Sequence, residues 1–258
     1  MGHLARANET YDAASRSGTT WNMTVSDPRT SQPTLNDSAR FEATQVAVHG
    51  PEYSFGEELV NAITHGAGLI AAIAAGAVLI TLVALSADPW RITSASVYVA
   101  ALVLLLTAST LYHAIPQPRA KAALKVLDHC AIFILIAGTY TPFTLVGLKG
   151  TWGWTLFALI WSLALTGVVF KLFFTGRFKG LSTALFLAMG WLVVIAAKPM
   201  LQQVPMPVLY WLLAGGIAYS LGTLFYLAKR LRFAHAVWHG FVLVGCSCHF
   251  VAVSGLLL

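Results

Sequence analysis

Only 10% of these 258 residues are charged, against 57% that are hydrophobic. That shortage excludes an ordinary soluble domain, in which roughly a quarter of residues carry charge. Acidic residues are scarcer still, since Asp88 and Asp128 are the only carboxylates beyond Glu58. Cysteine is limited to Cys130, Cys246 and Cys248, all in apolar surroundings, which excludes a disulfide framework. Cys246 and Cys248 would lie about 200° apart on a helix, so one metal ion cannot easily use both, and all three cysteines read as small packing residues. Residues 1–55 contain no apolar run fit for a signal sequence or an anchor. Arg6 stands where N-myristoylation requires Ser or Thr. This polar stretch, rich in Ser, Thr, Asn and Asp, is expected to form a disordered cytoplasmic tail over residues 1–56.

What the sequence has in quantity is apolar runs. Seven follow the tail, at roughly 62–86, 93–115, 127–148, 152–174, 181–201, 207–228 and 233–257, each able to span a bilayer core. Asp88-Pro89, Pro116 with Pro118, Gly150, Gly176 with Gly180, and Pro205 with Pro207 punctuate them as short turns do. The expected fold is an all-α integral membrane protein, a seven-transmembrane helix bundle over residues 57–258. Its formal net charge of +6 does not signal nucleic acid, because the basic residues gather between the apolar runs. Arg119, Lys121, Lys125, Lys171, Arg177, Lys179, Lys229, Arg230 and Arg232 follow even-numbered runs, whereas the other loops hold Arg91, Lys149 and Lys198. This asymmetry predicts a cytoplasmic N-terminus and an extracytoplasmic C-terminus.

The last run carries the first chemical signal. His235 and His239 are four residues apart, so on a helix they share a face about 6 Å apart, a spacing that lets two imidazoles close on one metal ion. Ser109 and His113 repeat the same spacing near the end of the second run. Asp128 is the one carboxylate inside a membrane run, either as a functional group or as the cap of the third helix. The topology sets His113, Asp128, His235 and His239 at similar depth on one side. Glu58, Asn61 and His65 lie at comparable height on the first helix, as supporting partners of a metal site or as interface caps. His129 points about 100° away from Asp128, and His249 lies about 15 Å beyond His239, so neither is expected to join.

Three imidazoles and one open position make a tetrahedral catalytic zinc site. Zinc brings the pKa of its water near neutrality, a carboxylate can take the proton, and a hydroxyl can hold the water or a developing oxyanion, roles that fit Asp128 and Ser109. Ala, Val and Trp separate His235 from His239, so the H-E-x-x-H pattern of metalloproteases is absent and the base must come from another helix.

Five motifs in order, Glu58-x-x-Asn61-x-x-Thr64-His65, Ser109-x-x-x-His113, Asp128, Gly138-Thr-Tyr-Thr-Pro-Phe143 and His235-x-x-x-His239, resemble the bacterial hemolysin III branch of the PAQR (progestin and adipoQ receptor) family over residues 57–257. The resemblance implies a seven-helix fold with the N-terminus inside and a multi-pass location in the plasma (bacterial inner) membrane. It also implies a zinc site of the kind found in adiponectin receptors and alkaline ceramidases. Carried onto this chain, it makes His113, His235 and His239 metal ligands, with Ser109 and Asp128 holding or activating water.

The leading functional expectation is a zinc-dependent hydrolase of a lipid amide or ester that enters sideways from the bilayer. One alternative is a non-enzymatic receptor-like or regulatory protein with structural zinc. Another is a channel, transporter or lytic (hemolysin) protein, against which stands the confinement of the ionisable residues to one side.

Overall fold

The computed structural model of this chain describes residues 53–175, 177–228 and 231–258. Of the expected tail over 1–56, residues 1–52 lie outside the described residues, as do Gly176 and the loop cations Lys229 and Arg230, while Phe55 and Gly56 already belong to the first helix. Seven helices are long and apolar enough to cross a membrane: α1 (Phe55–Ala84), α2 (Pro89–Ala114), α3 (Pro118–Leu148), α4 (Gly150–Phe174), α5 (Lys179–Gln203), α6 (Met206–Leu227) and α7 (Ala234–Leu257). The protein is therefore a multi-pass membrane protein, all-helical among the described residues. Large apolar side chains face outward, among them Ile70, Phe173 and Leu224, as a lipid solvent requires.

Local chemistry fixes the helix ends. At α1, the Ser54 hydroxyl accepts the Glu57 N–H while the Glu57 carboxylate accepts the Ser54 N–H, a reciprocal capping box. At α2, Asp88 Oδ1 accepts the N–H groups of Trp90 and Arg91, and Pro89 supplies a preset φ for the first turn. The start of α3 departs from the expected position. It begins at Pro118 rather than near 127, because its first turns carry Arg119, Lys121 and Lys125 and so escape an apolar-run reading. Asp128 is therefore in the third turn of α3, about 15 Å from its start, and not its cap; Gln117 holds that position.

Helix α3 is the centre of the bundle, with 72% of its most apolar stretch buried against 22–33% for α1 and α4 to α7. It touches α2, α4, α5 and α7. Lipid tails are as apolar as leucine, so close backbone approach, not water exclusion, must hold such helices together. A Cβ at Gly138 would stand 2.6 Å from Ala101 Cβ, which places α3 tightly on α2. A Cβ at Gly167 would stand 2.3 Å from the Phe133 ring, so that glycine opens α4 to α3. Gly215 and Gly222, two turns apart on α6, make room for His249 and for Trp238 with Phe241 of α7.

Two spans are irregular. Pro142 ends the regular part of α3, which continues as a π-turn over Phe143–Leu148. Helix α5 breaks at Trp191 into a 3-10 segment, Leu192–Ala196, before resuming. The Tyr140 hydroxyl of α3 closes that break, donating toward the carbonyls of Met189 and Gly190 at 2.9 and 3.0 Å and accepting the Val193 N–H at 2.8 Å. Lys171, counted above as a loop cation, lies within α4 at 1% exposure, because the apolar helix runs on past it to Phe174.

Gly153 on α4 meets the π-turn most closely, since an added Cβ would stand 2.2 Å from the Thr144 carbonyl oxygen. Gly153→Ala is expected to destabilise the protein by about 1–3 kcal/mol, the usual cost of overpacking, read as a lower thermal midpoint in detergent. Gly56→Ala, where a Cβ meets nothing within 4 Å, should lower it little or not at all.

Candidate metal centre

The three histidines singled out by spacing meet in space. One nitrogen from each of His113, His235 and His239 lies within 4.8 Å of the other two. His113 is the penultimate residue of α2, while His235 and His239 occupy the first turns of α7. Their ring centroids are 4.6 to 5.2 Å apart, and His113 and His239 are buried. Among the described residues this is the one group of His, Cys, Asp or Glu that can hold a metal ion.

The hydrogen bonds around the rings test whether a metal fits. His113 Nδ1 is 2.6 Å from Glu58 Oε2, His235 Nδ1 is 3.2 Å from the Tyr53 hydroxyl, and His239 Nδ1 is 3.4 Å from the Asn61 carbonyl oxygen. Each Nδ1 therefore faces a protein partner that can accept its proton, leaving each Nε2 as a free lone pair. The His113 Nε2 is buried with no hydrogen-bond partner, which would be costly unless something else occupied it. A histidine that donates from one nitrogen to a carboxylate or carbonyl and ligates through the other is the usual metal-binding arrangement. The donor set fits a divalent transition metal.

Other predicted site residues surround this triangle. Ser109, one turn before His113, lies beside Asp128, whose side chain is 14% exposed. His65 Nδ1 is 2.7 Å from Ser109 Oγ, and its ring stacks on His239 at 3.6 Å between centroids. A His65 Nδ1–H donating to Ser109 Oγ leaves the Ser109 hydroxyl proton free for a second acceptor. His65 Nε2 is left as a buried acceptor with no partner. Asn61 Nδ2 is 3.5 Å from His113 Nδ1, and Asn61 Oδ1 is also buried without a partner.

His129 and His249 stay apart, as their spacing predicts. His129 Nδ1 bonds the Lys125 carbonyl at 2.6 Å, and His249 Nε2 bonds the Leu212 carbonyl at 3.1 Å. Two participants escaped the sequence reading. Tyr53 precedes the expected start of the membrane region, yet it packs on both His113 and His235. Lys121 pairs with Glu58 at 2.9 Å and donates to the Tyr112 carbonyl at 2.8 Å. The capping signature Ser54-x-x-Glu57 was the available signal for the first, since it starts the helix at 55. Lys121 gave no local signal, because its partner lies 63 positions earlier in the chain.

Near-stoichiometric metal is expected by elemental analysis of detergent-purified protein, with loss in a monodisperse His235→Ala, His239→Ala double variant. Glu58→Gln, which removes the carboxylate behind His113, should weaken metal affinity by about 10–100-fold; competition against a chelating dye measures it, and unchanged affinity would mean that Glu58 serves only Lys121.

Comparison with known proteins places these residues in a family context. Residues 53–250 match the model of a family described as haemolysin-III related. A hemolysin-3 homolog of Bacillus subtilis (strain 168) is 47% identical over 201 residues, covering 78% of this chain and 94% of that protein. Hemolysin-3 of Bacillus cereus is 45% identical over 197 residues, covering 76% and 90%. More distantly, the human monocyte to macrophage differentiation factor is 27% identical over 182 residues, covering 66% and 72%.

Proposed function

This chain belongs to the haemolysin-III-related family, and from that premise we propose that it is a zinc-dependent membrane hydrolase that cleaves an amide or ester bond of a lipid. The observation that carries the reading is the junction of two units: three imidazoles that each offer one nitrogen within 4.8 Å of the other two, and Ser109, one helical turn back along α2, beside Asp128 of α3. A purely structural metal needs the first unit and has no use for the second. Three imidazole nitrogens are a donor set that would hold zinc.

Zinc held there supplies Lewis acidity and makes water nucleophilic near neutral pH. The chain's own groups do the rest. Asp128 takes the proton released by the attacking water, and Ser109, held by His65 at 2.7 Å, keeps the carboxylate aimed. His65 Nε2 and Asn61 Oδ1, both buried and unpartnered, are acceptors for a donor on the substrate, such as an amide N–H or a hydroxyl. Glu58 fixes the His113 ring and is itself fixed by Lys121. The histidines sit at helix ends, which corresponds to the level where the ester and amide bonds of membrane lipids lie. We assign that end to the cytoplasmic side of the inner membrane from the excess of Lys and Arg in the connections there.

A second reading, a regulatory protein in which the metal ties α2 to α7, draws on the same His113, His235 and His239 triangle. The names of the bacterial relatives point to lysis instead, which liposome leakage by the purified protein would reveal. Asp128→Asn is expected to lower lipid hydrolysis by about 10²–10⁴-fold, the range of a lost general base, with metal content and thermal midpoint close to wild type. Product formation is followed by mass spectrometry of lipid extracts incubated with each protein. A wild-type, metal-loaded protein that changes no lipid in such an extract would favour the structural metal.

A further inference from the structure

A second site lies at the other end of the bundle. A cavity of about 650 Å³ opens between the start of α2, the π-turn of α3, the start of α4 and the connection from α5 to α6. Arg91, which lines it, is 22 residues from His113 along α2, hence about 33 Å from the metal centre. The cavity takes no part in the chemistry proposed above.

Its lining is cationic on balance. Arg91 and Lys149 face it together with Asp88 and Gln203. Asp88 is already engaged, since Oδ1 caps α2 and Oδ2 lies 3.6 Å from Arg91 Nε. Arg91 Nη1 donates to the Leu257 carbonyl at 2.8 Å, which fixes the guanidinium at the rim of the cavity. The Lys149 carbonyl accepts the Gly153 N–H, while its exposed side chain makes no hydrogen bond or ion pair among the described residues. Trp90 and Trp154 stand edge to face, 5.7 Å between centroids, on the flank. Tryptophan beside Arg and Lys is the pairing found at the headgroup level of membranes.

The backbone at this cavity is also unusual. Lys149 has φ 51° and ψ 166°, a region otherwise occupied almost only by glycine, although Gly150 is the next residue. The π-turn that precedes it is a rare geometry found disproportionately at functional sites. A glycine at 149 would relieve the strain without disturbing any side-chain contact of position 149. A lysine held there in spite of that strain presents an ammonium group to the cavity mouth.

We propose that this cavity binds the phosphate group of an anionic phospholipid, with Lys149 as the principal charge partner, Arg91 as the second, and the two tryptophans against the glycerol region. The cavity is within the size range of small-molecule sites, and its position where four connecting segments meet the bilayer edge gives a headgroup access from the lipid side. The shared chemistry, a phosphate anion, is also offered by soluble glycerol phosphate, and the experiment separates the two sources.

Delipidated protein in neutral detergent is titrated with phosphatidylglycerol, phosphatidylcholine or glycerol phosphate, and bound ligand is counted by native mass spectrometry. Phosphatidylglycerol should be retained over phosphatidylcholine by about fivefold, the factor one lysine contributes beside an anionic headgroup. Lys149→Gln should abolish that preference. Lys149→Gly, which removes strain and charge together, should abolish it as well while folding at least as stably, so the loss cannot be assigned to misfolding. Metal content should be unchanged in both variants. Equal retention of the two lipids by wild type, or an undiminished preference in both variants, would overturn the proposal. Binding of glycerol phosphate without selective retention of phosphatidylglycerol would overturn the lipid assignment.

Discussion

Two adjacent carboxylates at the start of α1 hold the histidine end of this bundle together. Glu57 closes its own helix with Ser54 and accepts the Phe233 N–H at 3.0 Å, just before α7 begins. Phe233 has φ 58°, so the chain turns sharply there and enters α7 with His235 and His239 directed inward. Glu58 reaches the other way, to His113 of α2 and Lys121 of α3. Four of the seven spans are thus fixed to one another through two residues of one turn. In a chain with so few carboxylates, that concentration is where geometry matters most: the three clustered histidines come from two helices far apart in sequence, and α1 is bonded to both.

Much of the architecture was legible because the bilayer is a strict solvent. A span needs about 20 apolar residues, and seven such runs separated by Pro, Gly and Asp leave little freedom of interpretation. The histidine triangle was legible for a different reason. His235 and His239 share a face by spacing alone, and topology then brings the end of α2 to the start of α7. What stayed hidden was set by partners distant in the chain. The first turns of α3 are cationic and project beyond the end of α2, so they do not read as a span. Lys171 looked like a loop residue and is buried within α4. Tyr53 looked like part of a polar tail, yet its hydroxyl meets His235, 182 residues away.

The two ends of the bundle divide the work of charge. At one end Glu57 and Glu58 hold a helix start and an imidazole, and the buried atoms left unpartnered are neutral ones on His65, His113 and Asn61. At the other end the spare group is a cation on a strained backbone. An apolar interior lies between them, with Ala95, Leu102, Leu105 and Leu106 on the same α2 that carries both Arg91 and His113. That stretch separates the two environments electrostatically, since no charged residue occurs on α2 between them.

The suture at Tyr140 bears on how separable the spans are. Helix α5 is broken at mid-length, and the groups it leaves open are met by a phenol that belongs to α3. Nothing in the apolar stretch from Trp191 to Ala196 encodes that repair. The span is therefore not an interchangeable module. Grafted into another bundle, it would carry its defect along and leave its remedy behind, so α3 and α5 form a single unit of inheritance and of design, though a whole span lies between them in the chain.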